Sequence, residues 1–211
     1  VVQNPALQDY FERIQSLQKH KVNVVPTYKA KTEKELQNLF KKLRFPWALK
    51  AVGKDLLHKT EHHAIKLNIA NREQALQAYN ELSKIKGCQA IAVQPFVLEG
   101  IELIVGGKND PQFGPIVLVG MGGVYAEILK DTSVRLAPLE LKDAQEMVNE
   151  LKALPILNGA RGQKPINFKA LYNLLVNTAH YMEKENVHEL DLNPVMATQK
   201  DVIAVDVRVI K

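Results

Sequence analysis

Asn193-Pro194, followed thirteen residues later by Asp206, lies in HELDLNPVMATQKDVIAVD, a run that reads as strand, polar turn and strand. A hairpin of that length returns its second strand beside the first, so Asn193 and Asp206 can project oxygens to one point. Such a point suits Mg²⁺, a hard cation that takes few protein oxygens and leaves its other positions to water and substrate phosphate. Lys50 lies in the apolar run PWALKAV, where a buried ammonium needs a partner. It is either a strand lysine reaching solvent or a cation held for phosphate. His58-Lys59-Thr60-Glu61 then gathers an imidazole, an ammonium and a hydroxyl, groups expected near a transferred phosphoryl group. Arg161 sits between small residues in Gly159-Ala160-Arg161-Gly162, where a guanidinium can fork onto phosphate or carboxylate or simply occupy a surface turn. Gln94-Pro95-Phe96-Val97 follows an apolar strand and suits an adenine slot, with backbone groups reading the base edge; it is equally compatible with plain core strand.

These groups need a scaffold, and periodicity supplies one. Leu7, Phe11, Ile14 and Leu17 recur at the spacing of one helical face in segment 5–20, and residues 21–26 read as a short strand. Thr32-Glu33-Lys34-Glu35 is a capping-box pattern opening a helix to about Leu43. Strands are expected at 46–52, 64–69 and 90–96, with a helix from Asn71 to about Ile85. Residues 101–138 break into short β-rich runs punctuated by Gly, Pro and Asp. Helices return at about 140–153 and 167–185, before the terminal hairpin. Glu127, Asp131 and Arg135 fall across these runs, as salt-bridging groups or as part of a site. The order describes an α+β protein with two lobes better than a doubly wound parallel sheet.

Composition narrows the function classes. The chain has 211 residues, a formal net charge of +5 and a single cysteine, Cys88. One cysteine excludes an internal disulfide and a cysteine-based metal site, which fits a reducing cytoplasm. The lysines are spread over amphipathic helices with no Arg-aromatic clustering, so no nucleic-acid partner is expected. No apolar run approaches the roughly 20 residues of a membrane span, and the start lacks the pattern of a secretory signal. The first residue is Val, as in a processed chain or a piece of a longer one.

Several fragments, in order, resemble one family. LKAVGKDLLHKTE, VQPFVLEGIELIVGGKNDPQFGPIVLVGMGGVYAEILKD, RLAPL, LNGARG and ELDLNPV followed by AVDVR are similar to the ATP-grasp domain of ADP-forming acyl-CoA synthetases, the acetate–CoA ligases. The long DPQFGPIVLVGMGG stretch separates this family from succinyl-CoA synthetase β subunits, which share only its outline and the NP…D hairpin. The resemblance implies one ATP-grasp domain over 1–211, with lobes at about 1–95, carrying a mobile loop at 53–63, and 96–211. A nucleotide cleft is expected between them.

The same resemblance implies roles. Lys50 looks like the nucleotide phosphate lysine, Gln94, Pro95, Phe96 and Val97 like the adenine hinge, and Glu102 like a cleft glutamate near the ribose. His58 matches the histidine that carries phosphate between a partner domain and ADP, and Arg161 the arginine that meets the phosphoryl group. Asn193 and Asp206 look like Mg²⁺ ligands, with Asp191 as an outer helper. ATP or ADP and Mg²⁺ are therefore the expected cofactors. The expected partner is a CoA-binding ligase subunit, or further domains of the same chain, through which acyl-CoA and phosphate enter. One departure stands out: family members usually continue HKTE with a small residue and paired glycines, where this chain has His62-His63-Ala64-Ile65. The alternative is a regulatory ATP-grasp module of a multidomain protein acyltransferase.

Overall fold

A computed structural model describes residues 10–53, 56, 64–123, 131–162 and 164–211. The chain divides into two compact units, Val1–Glu12 with Val25–Leu98, and Arg13–Val24 with Glu99–Lys211. Each is an antiparallel sheet with helices, as expected for α+β.

In the first unit, β1 (Tyr28–Ala30), β2 (Trp47–Val52), β3 (Ile65–Ile69) and β4 (Ala90–Pro95) form a sheet in the order β1-β4-β2-β3. Helices α2 (Glu33–Leu39) and α3 (Arg72–Ser83) cover one face. Their Leu36, Leu39, Ala75, Tyr79 and Leu82 pack with Trp47, Leu49, Ile91 and Val93. Alternation along the strands sends these residues to one side, and each fully buried large side chain contributes roughly 1.5–3 kcal/mol. Both helices start at side-chain caps: Thr32 Oγ1 accepts from Glu35 N at 3.2 Å, and Asn71 Oδ1 from Gln74 N at 2.9 Å. Such caps are worth about 1 kcal/mol each. Glu35 reaches back to Lys31 N, and α2 ends at Leu39, earlier than its pattern suggests.

One expectation changes here. Residues 21–26 form no strand but one isolated bridge, Val24↔Ala204. Lys21 has a φ of 60°, and the Asn23 amide bonds Asp201 and the Val202 carbonyl, so local side-chain bonds replace a ladder. The strand instead forms just beyond Pro26, as β1.

In the second unit, β5 (Ile101–Asp110), β6 (Gly114–Met121), β7 (Thr132–Leu136), β8 (Glu189–Ala197) and β10 (Val207–Ile210) run in the order β10-β8-β5-β6-β7, with β9 (Val202–Ala204) also on β8. Helices α4 (Leu141–Asn149), the short α5 (Leu154–Leu157) and α6 (Phe168–Lys184) complete it. A Cβ on Gly107 would stand 2.7 Å from Met182 Sδ, so α6 lies close against β5. Asp131 is buried, and its carboxylate accepts from Lys152 N at 2.9 Å and Ala153 N at 2.8 Å. Arg135 pairs with Glu150, and that pairing holds the Glu150 carboxyl below its ordinary range. Asp131 and Arg135 thus fasten β7 to the helices that follow it, while Glu127 lies outside the described residues. Among the described residues, no helix is long and apolar enough to cross a membrane.

Candidate functional site

In the four-stranded sheet, Lys50 lies opposite Ala92, and Ala48 opposite Gln94. Cross-strand partners point the same way and residues two apart share a face, so Lys50 and Gln94 lie together on the face away from α2 and α3. Tyr10 and Phe11 of α1 (Tyr10–Lys19) pack there with Ala90, Ala92 and Val52. Lys50 is only 7% exposed and Gln94 1%. Gln94 Nε2 donates to Thr27 Oγ1 at 2.8 Å. Pro95 ends β4, and the half-buried Phe96 continues the chain with its N–H on the Pro46 carbonyl at 2.9 Å. Val97, also half-buried, follows it.

Sequence reasoning passed over one residue on this face. Lys29 of β1 is opposite Ala92, which places Lys29, Ala92 and Lys50 in one row across three strands. Its ammonium lies 4.8 Å from the centre of the Phe11 ring, a cation–π distance. A three-residue strand leaves too little alternation to be recognised, so Lys29 read as one lysine among several in TYKAKTEK.

In the six-stranded sheet the candidate residues gather at an interruption. Leu192 pairs with Val207 and Val195 with Ala204. Between them Asn193-Pro194 faces Val205-Asp206, with Asn193 N donating to Asp206 O at 3.3 Å and Val205 N to Pro194 O at 2.9 Å. Asn193-Pro194 is therefore not the turn of the hairpin, as its composition suggested. It lies inside β8, and the chain reverses at Thr198–Asp201, where Thr198 N and Oγ1 both donate to the Asp201 carbonyl. The polar run ATQKD supplies that reversal. The pairing of Asn193 with Asp206 expected from the sequence is nonetheless present.

Alternation around the buried Leu190, Leu192, Val207 and Val209 turns Asp191, Asn193, Asp206 and Arg208 to the opposite face. Asp191 lies directly across from Arg208. Burial pushes the Asp191 carboxyl up from its ordinary value; Asp206 and Glu189 add to that, and Arg208 opposes them. A cluster that resists its own ionisation is where a cation is stabilising. The donors are hard oxygens, two carboxylates and an amide, the set Mg²⁺ takes. Among the described residues no group of three or more His, Cys, Asp or Glu is disposed to hold a metal, so a cation here depends on Asn193, water and ligand oxygens.

Glu102 lies beside the glycines of the MGG motif. Gly122 N donates to Glu102 O at 2.8 Å, and a Cβ on Gly123, whose φ is 58°, would stand 2.7 Å from Glu102 Oε2. Those glycines keep space beside an exposed carboxylate. Arg161 falls in a 3-10 turn, Ala160–Gly162; its side chain, like His58, His62 and His63, lies outside the described residues. Lys50 and Gln94 are thus brought onto one face of the first unit. Glu102, Asp191, Asn193 and Asp206 belong to the second.

The family described as ATP-grasp domain matches residues 4–210. The β subunit of acetate–CoA ligase [ADP-forming] I of Pyrococcus furiosus is 38% identical over 195 residues, covering 88% of this chain and 84% of that one. Two solved structures of the dinucleotide-forming acetyl-coenzyme A synthetase 1 of Ca. Korarchaeum cryptofilum superpose closely, each covering 95% of this chain and 91% of the other. One, with coenzyme A, Ca-AMPCP and HgCl⁺, gives a TM-score of 0.88 at 36% identity. The other, with coenzyme A and Mg-AMPPCP, has its phosphohistidine segment pointing towards the nucleotide binding site and gives 0.83 at 35%. Against acetate–CoA ligases [ADP-forming] I and II of Archaeoglobus fulgidus, this chain spans 30% and 29% of the relative's length.

Proposed function

Given that the chain belongs to the ATP-grasp family, in the group of the β subunits and corresponding parts of ADP-forming acetate–CoA ligases, we propose that it moves phosphate between a phosphohistidine and Mg·ADP. The overall reaction is acyl-CoA + ADP + Pi ⇌ carboxylate + CoA + ATP. The observation that carries this reading is the interrupted ladder at β8, where Asp191, Asn193 and Asp206 collect on one face.

Phosphoryl transfer asks a protein mainly for positioning and charge neutralisation. Lys50, buried in its sheet, holds a cation without the entropy of an exposed lysine, and Lys29 adds a second charge in the same row. Gln94 to Val97 hold the base, and Glu102 accepts from ribose hydroxyls. Asn193 and Asp206 would hold Mg²⁺, with Asp191 supporting them; the ion supplies charge neutralisation across the phosphate oxygens. In the ADP-forming direction, a neutral ring nitrogen of His58 attacks the γ-phosphorus of ATP. The bond to the bridging oxygen breaks and ADP leaves. The reverse step makes ATP. Arg161 steadies the transferred group.

The CoA-binding and ligase functions belong to a partner subunit or to further domains of the same protein. This follows the relatives, which occur both as β subunits and as single chains more than three times as long as the matched part. We place the protein in the cytoplasm, where Cys88, its thiol pushed up by burial, stays reduced. Incubation of the complete enzyme with γ-labelled ATP is expected to leave acid-labile, base-stable label on this chain. Equal labelling of His58→Ala would overturn the assignment.

A further inference from the structure

A cavity of about 400 Å³ opens where the end of α1 meets α6, within the second unit. Lys19 and Lys21 line it from the end of α1, and Pro138, Leu139 and Val176 give it an apolar wall.

The backbone at Lys21 is unusual. Lys21 N donates to Gln18 O and Val22 N to Leu17 O, both at 3.0 Å, which closes α1 with Lys21 at a φ of 60°. Glycine is the usual residue at that position of such a closure, because a Cβ is strained in the left-handed region. Asn177 Nδ2 of α6 donates to Lys21 O at 2.8 Å and holds the residue there. The strain is therefore borne by a lysine, and what the lysine adds over glycine is an ammonium at the cavity. A cation is favourable at any helix C-terminus, but Lys19 already fills that role in the last turn.

The charges at the cavity are unbalanced. Among the described residues neither Lys19 nor Lys21 pairs with a carboxylate, and Glu183 is the one carboxylate on the wall. Glu185, on the same helix end, is occupied: its Oε1 bonds His20 Nε2 at 3.0 Å and its Oε2 accepts from Lys211 Nζ at 2.7 Å. Two ammoniums thus stand beside an apolar wall with a single opposing charge.

We infer that this cavity binds a phosphate monoester with a small apolar portion. Two lysines match a dianionic phosphate, and the volume leaves room for an organic group against Pro138, Leu139 and Val176. The site is separate from the nucleotide face. Helix α6 lies against the side of β5 that carries Gly107, whereas Asp191, Asn193 and Asp206 turn to the other side of the sheet. The inference therefore does not depend on the nucleotide reading.

Calorimetric titration of phenyl phosphate into the protein in its native assembly, with Mg·ADP present in excess, tests it. The parent is expected to bind phenyl phosphate at least about fivefold more tightly than inorganic phosphate, through the apolar wall. Lys21→Gly should unfold at the same or a higher temperature, the strain being gone, yet bind phenyl phosphate about tenfold more weakly. Lys19→Gln should weaken binding by a similar factor and serves if Lys21→Gly misfolds. Lys34→Gln, on α2 of the other unit, should bind as the parent does. A parent that binds no phenyl phosphate, or binds inorganic phosphate equally well, overturns the inference. So do parental affinity in Lys21→Gly and Lys19→Gln, an equal loss in Lys34→Gln, and displacement of phenyl phosphate by Mg·ADP.

Discussion

Across β1, β4 and β2 the candidate face of the four-stranded sheet is a regular ladder carrying Lys29, Lys50 and Gln94, whereas in the six-stranded sheet the ladder is interrupted where Asn193-Pro194 meets Val205-Asp206. The difference follows from side-chain reach. A lysine stem is long enough to bring its ammonium to a ligand from an undistorted strand, so cations need no backbone irregularity. Asp and Asn are short, and neighbouring strands are about 4.7–4.9 Å apart. Converging their oxygens on one ion takes a local break that re-aims them. The cationic face can thus be built by pattern alone, while the anionic face needs a specific backbone event.

The largest effect tests the regular face. Lys50→Met keeps the apolar stem and volume and removes only the charge. Calorimetry is expected to show Mg·ADP affinity reduced by at least about thirtyfold, some 2 kcal/mol, the range of a charge-assisted hydrogen bond. Thermal unfolding should change little. Equal affinity in the variant would mean that Lys50 is an ordinary strand lysine, and the contrast between the two faces would lose its first term.

The interrupted face comes next. Asp206→Asn keeps size and backbone but removes one of the charges proposed to face the ion. Nucleotide affinity is expected to fall about tenfold at saturating Mg²⁺ in the parent. Without Mg²⁺ it should be unchanged or slightly better. A loss of the same size in EDTA would place Asp206 in the fold rather than in ion binding.

The two faces were unequally legible in the sequence. Trp47–Val52 and Ala90–Pro95 announced themselves as apolar strands, and Lys50 stood out because a charge interrupts one of them. Lys29 was hidden, since β1 is only three residues long. At the hairpin the residues were found but the geometry was misjudged: Asn-Pro is a turn signal, and here it sits within β8. Tertiary pairing outweighed local propensity, because Leu192, Val195 and Ala197 bury one side of that strand and carry it through. The notable residues of 127–135 were legible as a cluster, yet Asp131 proved to be a carboxylate serving the Lys152 and Ala153 amides. Backbone partners of that kind leave no mark in a sequence.

A smaller effect separates Glu102 from general stability. Gly123→Ala places a methyl at a φ of 58° and against Glu102 Oε2, whereas Gly114→Ala, at 79°, meets nothing within 4 Å. Both are expected to lose about 1 kcal/mol of stability from the left-handed backbone alone. Only Gly123→Ala should also weaken nucleotide binding, by displacing the Glu102 carboxylate. Equal binding in the two variants would remove Glu102 from the site.

The smallest effect is one of pH, and its sign distinguishes a metal-holding carboxylate from a structural one. Burial raises the Asp191 carboxyl above its ordinary value, with Asp206 and Glu189 adding to it and Arg208 opposing. The folded protein then binds this proton more tightly than the unfolded chain. Stability without Mg²⁺ should therefore decline as pH rises from the ordinary aspartate value through the raised one. A cation at Asn193 and Asp206 favours the ionised form, so Mg²⁺ affinity should increase across the same window, with proton release. Stability at saturating Mg²⁺ should then flatten or reverse its slope. Asp191→Asn is expected to lose both dependences together. Arg208→Gln should move the window to higher pH, because the opposing charge is gone. If Mg²⁺ leaves the slope of the parent unchanged, Asp191 is not coupled to the ion, and the interruption at β8 binds without its help.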